Sequence, residues 1–174
     1  CSWYYYYTRV SESDVLRNLT ALREKKLPVK YVQLDDGYQR KVGDWLTSNA
    51  KFPSGLGGLA RQIKAAGFVP GIWLAPFFVQ RSSEIFQHHR DWLLKDDDGK
   101  LTRLGYHPFW GIPDGQVYSL DLTHPAVLAW LRRVFQSLCE LGYEYFKIDF
   151  LFAGLRRGKR HDPSLSAVEA YRQG

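Results

Sequence analysis

Lys147 and Asp149 stand two positions apart in the run YEYFKIDFLF, residues 143–152, which from Tyr145 onward is otherwise aromatic or aliphatic. Charges are costly in a packed strand unless they are paired or face a polar ligand. Strand side chains alternate between faces. Tyr145, Lys147, Asp149 and Leu151 are therefore expected on one face, and Phe146, Ile148, Phe150 and Phe152 on the other. The Phe-rich face is expected to pack on helices. Lys147 and Asp149 would lie about 6.5 to 7 Å apart along the strand, too far for an ideal direct ion pair. Two partly paired charges suit a polar ligand; the competing reading is a buried Lys–Asp pair with a purely structural role.

Asp35 and Asp36 close a second apolar run, VKYVQLDDGY. Alone, Asp-Asp-Gly reads as a turn. Three carboxylates and one lysine at adjacent strand ends are harder to explain as packing. Trp73, near the end of FVPGIWLAPF, and Trp3 and Tyr4, in SWYYYY, would join them. Flat rings beside carboxylates suit a sugar: the rings stack on C–H patches and the carboxylates accept from adjacent hydroxyls. A retaining glycosidase needs a carboxylate nucleophile and a second carboxyl about 5–5.5 Å away. Asp149 is the candidate nucleophile. Lys147 would favour its ionised form and donate to a sugar hydroxyl. Asp35 and Asp36 would bind neighbouring hydroxyls.

Two rival chemistries find little support. A strand followed by Asp-Asp-Gly also resembles zinc-dependent polysaccharide deacetylases locally. A zinc site wants histidines at short spacing, whereas His88 and His89 are adjacent and no His-x-x-x-His occurs. Neither a metal nor an organic cofactor is expected. No Gly-x-Ser-x-Gly occurs, and Cys139 falls in an amphipathic pattern that leads to the expectation of a core position.

The elements that must hold these groups alternate. Four apolar segments read as strands: residues 2–7, 29–38, 68–77 and 143–152. Between them, SESDVLRNLTALREKK opens on a Ser-x-x-Asp cap and puts Val15, Leu16, Leu19 and Leu22 on one face. GLGGLARQIKAAG groups Leu59, Ile63 and Ala66 and ends on Gly67. SSEIFQHHRDWLL suggests a short helix, and HPAVLAWLRRVFQSLCELG a long one with Pro125 in its first turn. Such alternation predicts right-handed βαβ units and a parallel sheet. A doubly wound sheet and a barrel compete. The dinucleotide fingerprint is missing after the first strand, and four units fit half of the roughly 250-residue (β/α)8 barrel. Residues 95–116 read as a long polar insertion.

The chain has 174 residues, 45% of them hydrophobic, enough for one packed domain. Its net charge of +6 is scattered, and the dense run GLRRGKRHD reads as a solvated loop, so no nucleic-acid partner is expected. Two cysteines make no disulfide framework. With no signal-peptide pattern at the start, this leads to the expectation of a cytoplasmic location without membrane association.

FKIDFLFAG, VQLDDGYQ, GDW, KFPSGL, GFVPGIWLAPF and YSLDLTHP follow one another in an order that resembles the melibiase group of microbial α-galactosidases. The resemblance implies the N-terminal half of a (β/α)8 TIM barrel over residues 1–174, truncated on its C-terminal side, with no cofactor and an α-galactoside oligosaccharide as partner. By position, Asp149 matches the nucleophile and Lys147 a lysine that binds galactose. Asp35 and Asp36 match the pair on the C4 and C6 hydroxyls. Trp73 matches an aromatic wall, and Trp3 and Tyr4 match aromatics at the first strand's end. The family's acid/base lies on a later strand, so activity of these residues alone is not expected. Exposed sheet edges would favour a homo-oligomer. Arg90 replaces the proline of a family His-Pro-Asp-Trp motif. A raffinose-synthase-type galactosyltransferase and a non-catalytic sugar-binding half-barrel are the alternatives.

Overall fold

Ser2 donates its backbone N–H to the Gln33 carbonyl at 3.2 Å, and the chain then leaves the sheet. Trp3–Tyr6 form a single helical turn, α1, where the sequence predicts a first strand. A half-buried strand needs alternate side chains to bury. Here Tyr4 and Tyr5 are 83% and 79% exposed, so no alternating face exists to hold the segment flat. Trp3 instead packs edge to face on Tyr7, with ring centroids 5.2 Å apart.

The computed structural model describes residues 1–111 and 115–174. They form two units: residues 1–40, 45–74 and 135–148, and residues 41–44, 75–134 and 149–174. After α1 the elements are α2 (Glu12–Glu24), β1 (Tyr31–Leu34), α3 (Gly55–Ala65), β2 (Val69–Leu74), β3 (Phe78–Gln80), α4 (Glu84–His88), β4 (Arg103–Tyr106), β5 (Gln116–Ser119), α5 (Pro125–Glu140), β6 (Tyr145–Ile148) and α6 (Ala167–Gln173).

In the first unit, three strands form a parallel sheet in the order β1-β2-β6. Leu34 lies opposite Ile72, and Trp73 opposite Lys147. α2 begins where its cap predicts: the Ser11 hydroxyl accepts from the Asp14 amide, and the Asp14 carboxylate accepts from the Ser11 amide. Val15 and Leu19 are buried on its inner face, and Leu16 and Leu22 are half-buried. α3 buries Leu56, Leu59, Ala60 and Ile63, and each such Leu or Ile contributes about 1.5–3 kcal/mol relative to exposure. Gly67, at φ 91°, ends that helix with the paired Gly67-to-Lys64 and Phe68-to-Ile63 backbone bonds of a left-handed C-cap. Tyr143 reaches from the foot of β6 to donate its hydroxyl to the Leu56 carbonyl at 3.1 Å.

Pro70 sits in the middle strand of that sheet, where a missing N–H is usually harmful. Its placement resolves the conflict. Val69 donates to Lys30 on the β1 side, while the Pro70 carbonyl accepts from Glu144 on the β6 side. The absent donor thus faces β6 ahead of the first paired residues, Gly71 and Tyr145.

In the second unit an antiparallel sheet runs in the order β3-β5-β4. The sequence reading treats residues 95–116 as a polar loop, and this is corrected. β4 and a 3-10 turn at Pro108–Trp110 lie within that stretch, and β4 is irregular at Arg103/Gly105. The signal is weak because β4 holds Arg103, Gly105 and an exposed Tyr106, so it lacks apolar alternation. Buried Asp121 organises the loops: the Thr123 amide and hydroxyl donate to it at 3.0 and 2.8 Å. Arg160 approaches to 3.7 Å, with both side chains about 5% exposed or less.

β6 ends at Ile148, earlier than predicted. Phe150 adopts a left-handed backbone at φ 53°, and Leu151–Leu155 form a 3-10 turn. The expected alternation therefore stops at Ile148, and the shared face does not extend to Asp149 and Leu151. Phe146 packs on Phe135 at 5.4 Å as expected, but Ile148 and Phe152 are 45% and 50% exposed. No helix among the described residues is long and apolar enough to cross a membrane.

Candidate functional site

Asp35 and Asp36 follow the last residue of β1, at the carboxyl end of the parallel sheet where α/β folds bind ligands. Both are buried, at 1% and 2% exposure. A buried carboxylate needs compensating donors, and Asp35 has four. Lys147 Nζ lies 2.8 Å from Oδ2, Gln33 Nε2 donates to the same oxygen at 2.7 Å, and Cys1 Sγ approaches it at 3.3 Å. The Asp36 amide donates to Oδ1 at 2.9 Å. The Asp35 amide in turn donates to Ser2 Oγ. Gln33 reaches Asp35 because residues two apart on a strand share a face.

Asp36 accepts from Gln39 Nε2 at 2.6 Å, and Gln39 Oε1 accepts from the Gly37 amide at 3.1 Å. Lys51 stands close enough for the Asp36 charge to favour its protonated form. Partial burial outweighs that attraction and holds the ammonium below the ordinary lysine range. Gly37 is required by geometry: its φ is +111°, and a Cβ there would meet Thr8 backbone atoms at 2.6–2.8 Å.

Trp73, on β2, is 2% exposed. Trp45 meets it edge to face at 5.7 Å, and Tyr38 donates its hydroxyl to the Trp73 carbonyl at 3.1 Å. Burial pushes the Tyr38 phenol well above its ordinary range. The structure thus brings together Asp35, Asp36, Lys147 and Trp73 at the ends of three strands. Trp3 and Tyr4 belong to α1 rather than to a strand end; Trp3 is half-buried and Tyr4 exposed.

Lys147 forms its ion pair with Asp35, just past the end of β1, a partner that reading along one strand does not supply. An ammonium carries three protons, and the Lys147 side chain remains one third exposed. It can hold Asp35 and still donate to a ligand hydroxyl. Asp149 belongs to the second unit. It is half-buried, and its Oδ1 accepts from the Phe150 amide at 2.8 Å.

Sequence reasoning missed Gln33, Gln39, Lys51, Trp45 and Cys1 as members of this neighbourhood. Gln33 and Gln39 flank Asp-Asp-Gly at strand and turn spacing, a signal that was present but unread. Trp45 is 1% exposed, and its indole N–H has no hydrogen-bond acceptor among the described residues. A buried orphan donor is uncommon. Among the described residues, no group of three or more His, Cys, Asp and Glu is placed to hold a metal ion.

The first unit is a parallel α/β unit that carries two carboxylates, a lysine and Trp73 at its strand ends, the end of the sheet at which such folds hold ligands. The chain belongs to the melibiase family, whose model, Melibiase, matches residues 2–157. It is 31% identical over 170 residues to α-galactosidase 2 of Pediococcus pentosaceus, covering 93% of this chain and 22% of that one. It is 29% identical over 138 residues to an α-galactosidase of Escherichia coli, covering 74% and 18%. Among solved structures it is similar to TtGalA, an α-galactosidase of Thermus thermophilus in complex with stachyose. The TM-score is 0.85 at 36% identity, covering 99% of this chain and 35% of that chain. The chain therefore spans about a fifth of these curated relatives and about a third of that solved chain.

Proposed function

We propose that residues 1–174 are the first half of the (β/α)8 catalytic barrel of a retaining α-galactosidase acting on melibiose- or raffinose-type sugars. The observation that carries this reading is the buried Asp35, bound by Lys147 and Gln33 and followed by Asp36. It occurs in a chain 36% identical to a solved α-galactosidase bound to stachyose. Asp35 and Asp36 accept from the C4 and C6 hydroxyls of galactose, and Lys147 donates to a ring hydroxyl. Trp73 forms the wall of the sugar pocket, with Trp3 and Tyr4 as flanking aromatics.

Asp149 attacks the anomeric carbon. The bond to the leaving oxygen breaks as a second carboxyl, not assigned among these residues, protonates it, and a galactosyl ester forms on Asp149. Water then attacks the same carbon, helped by the second group acting as base. The chemistry needs only the two carboxyls, so no cofactor enters.

The test is Asp149→Gly in the whole protein, assayed on p-nitrophenyl α-galactoside with and without azide. Turnover should vanish, and azide should restore it with a galactosyl azide as product, because a small anion fits the space left by the carboxylate. Near wild-type hydrolysis without azide overturns the assignment.

A further inference from the structure

The backbone that follows β1 is pinned within the first unit. Gly37, at φ +111°, packs so closely on Thr8 that no Cβ fits. Asn49 Nδ2 donates to the Gly37 and Gln39 carbonyls at 2.8 and 3.2 Å. The Asn49 amide donates to the Tyr38 carbonyl, and the Arg40 amide to the Thr47 carbonyl, both at 2.8 Å. Gln39 pairs with Ser48 in an isolated antiparallel bridge and is 7% exposed.

The Gln39 side chain is held at both polar atoms. Oε1 accepts from the Gly37 amide at 3.1 Å, and Nε2 donates to Asp36 Oδ1 at 2.6 Å. A backbone N–H can only donate and a carboxylate can only accept, so the glutamine fits one way round. A flipped amide would set nitrogen against N–H and oxygen against the carboxylate. Short contacts of this kind are made to an ionised acceptor. A glutamate at this position would instead put a second carboxyl beside Asp36, and one of the two would keep a proton. The residue type at this position thus bears on both the rotation and the charge of Asp36. A carboxylate that reads a sugar hydroxyl needs both, because a group that recognises a ligand must be held to within about 0.5 Å.

We propose that Gln39 is a positioning residue for sugar recognition: it holds the Asp36 carboxylate as an ionised acceptor, turned to meet the C4 or C6 hydroxyl of galactose. This rests on the assignment of Asp35 and Asp36 to those hydroxyls made above. Gln39 acts through Asp36, so its loss is selective for one hydroxyl. A merely structural role would lower activity on every donor alike.

The whole protein is assayed on p-nitrophenyl α-galactoside and on its 4-deoxy and 6-deoxy analogues. The ratio of kcat/KM for the parent glycoside to that for each analogue measures how strongly each hydroxyl is read. Asp36→Asn should lower one of the two ratios and so identify the hydroxyl that Asp36 accepts. Gln39→Met keeps the length and removes both polar ends, and it should lower the same ratio about tenfold, the effect of one hydrogen bond to a charged group. Added to Asp36→Asn, it should lower that ratio by less than about twofold more. Gln39→Glu carries the test if the methionine variant does not fold. When protonated, the new carboxyl can make both bonds of the amide. The ratio should then stay near the wild-type value at about pH 5 and fall as rising pH ionises both carboxyls. The wild type, with the same Lys51 and Tyr38 in the field of Asp36, supplies the baseline at each pH. A ratio unchanged within about twofold in Gln39→Met, or at every pH in Gln39→Glu where that variant is used, overturns the positioning role. If Asp36→Asn itself leaves both ratios unchanged, the sugar-binding assignment of Asp36 fails and the role of Gln39 falls with it, so the two failures are distinct.

Discussion

Replacing Lys147 by Met should destabilise the protein by about 2–3 kcal/mol, and the figure follows from the geometry. Nζ and Asp35 Oδ2 are 2.8 Å apart. At an effective dielectric of about 20 the gross attraction is about 6 kcal/mol, much of it offset by desolvation of the carboxylate. Removing one partner of a buried pair costs about 3–5 kcal/mol. The upper part of that range is unavailable here, because Lys147 is one third exposed and Gln33, Cys1 and the Asp36 amide remain on Asp35. Asp35→Asn removes the charge at the same shape and should cost a similar amount. Equilibrium urea unfolding of wild type, both single variants and the double variant measures the coupling. The double variant should lose less than the sum of the singles by at least about 1.5 kcal/mol. The coupling should largely survive about 0.5 M salt, since one partner is shielded from solvent ions. Additivity within about 0.5 kcal/mol would refute the reasoning and leave Lys147 as a surface cation.

Burial raises the Tyr143 and Tyr38 phenols above their ordinary value of 10.0. The folded state therefore keeps protons that the unfolded chain gives up. Their contribution to stability is complete below about pH 10 and is lost as pH rises through the folded values. Tyr143→Phe should cost about 1 kcal/mol at neutral pH, through the bond to Leu56, and should flatten the loss of unfolding temperature above about pH 10; an unchanged alkaline slope contradicts this. Gly37→Ala adds a Cβ that meets Thr8 backbone at a left-handed φ, so the urea midpoint should fall by the equivalent of about 2 kcal/mol or more. A neutral result would mean that the turn and Thr8 move apart freely.

The parts of this molecule that were legible in the sequence are those with a local cause. The Ser11 cap, the Gly67 stop and the alternation of β1, β2 and β6 with helices depend on residues a few positions apart. Asp35, Asp36, Trp73 and Lys147 were legible as a group because the carboxyl ends of parallel strands lie side by side. The α1 turn was not legible, because SWYYYY has the composition of a strand and only the exposure of Tyr4 and Tyr5 decides against it. The partner of Lys147 was also hidden: it comes from a pairing across 112 residues, which period-two reasoning along one strand cannot supply. β4 was missed because its residues carry no apolar pattern and its neighbours alone make it a strand.

Pro70 acts as a check on assembly errors. If β6 slid along β2 so that pairing began earlier, the ring at Pro70 would have to stand where the ladder needs a donor, and the slipped sheet would lose a bond that the native one never lacked. A one-residue slip would also turn every side chain of β6 to its opposite face. Lys147 would swing away from Asp35, and a carboxylate would be stranded in the interior. The proline thus discourages misregistered chains before the ion pair has formed, so the alignment of the polar residues is guarded by a residue that has no polar side chain.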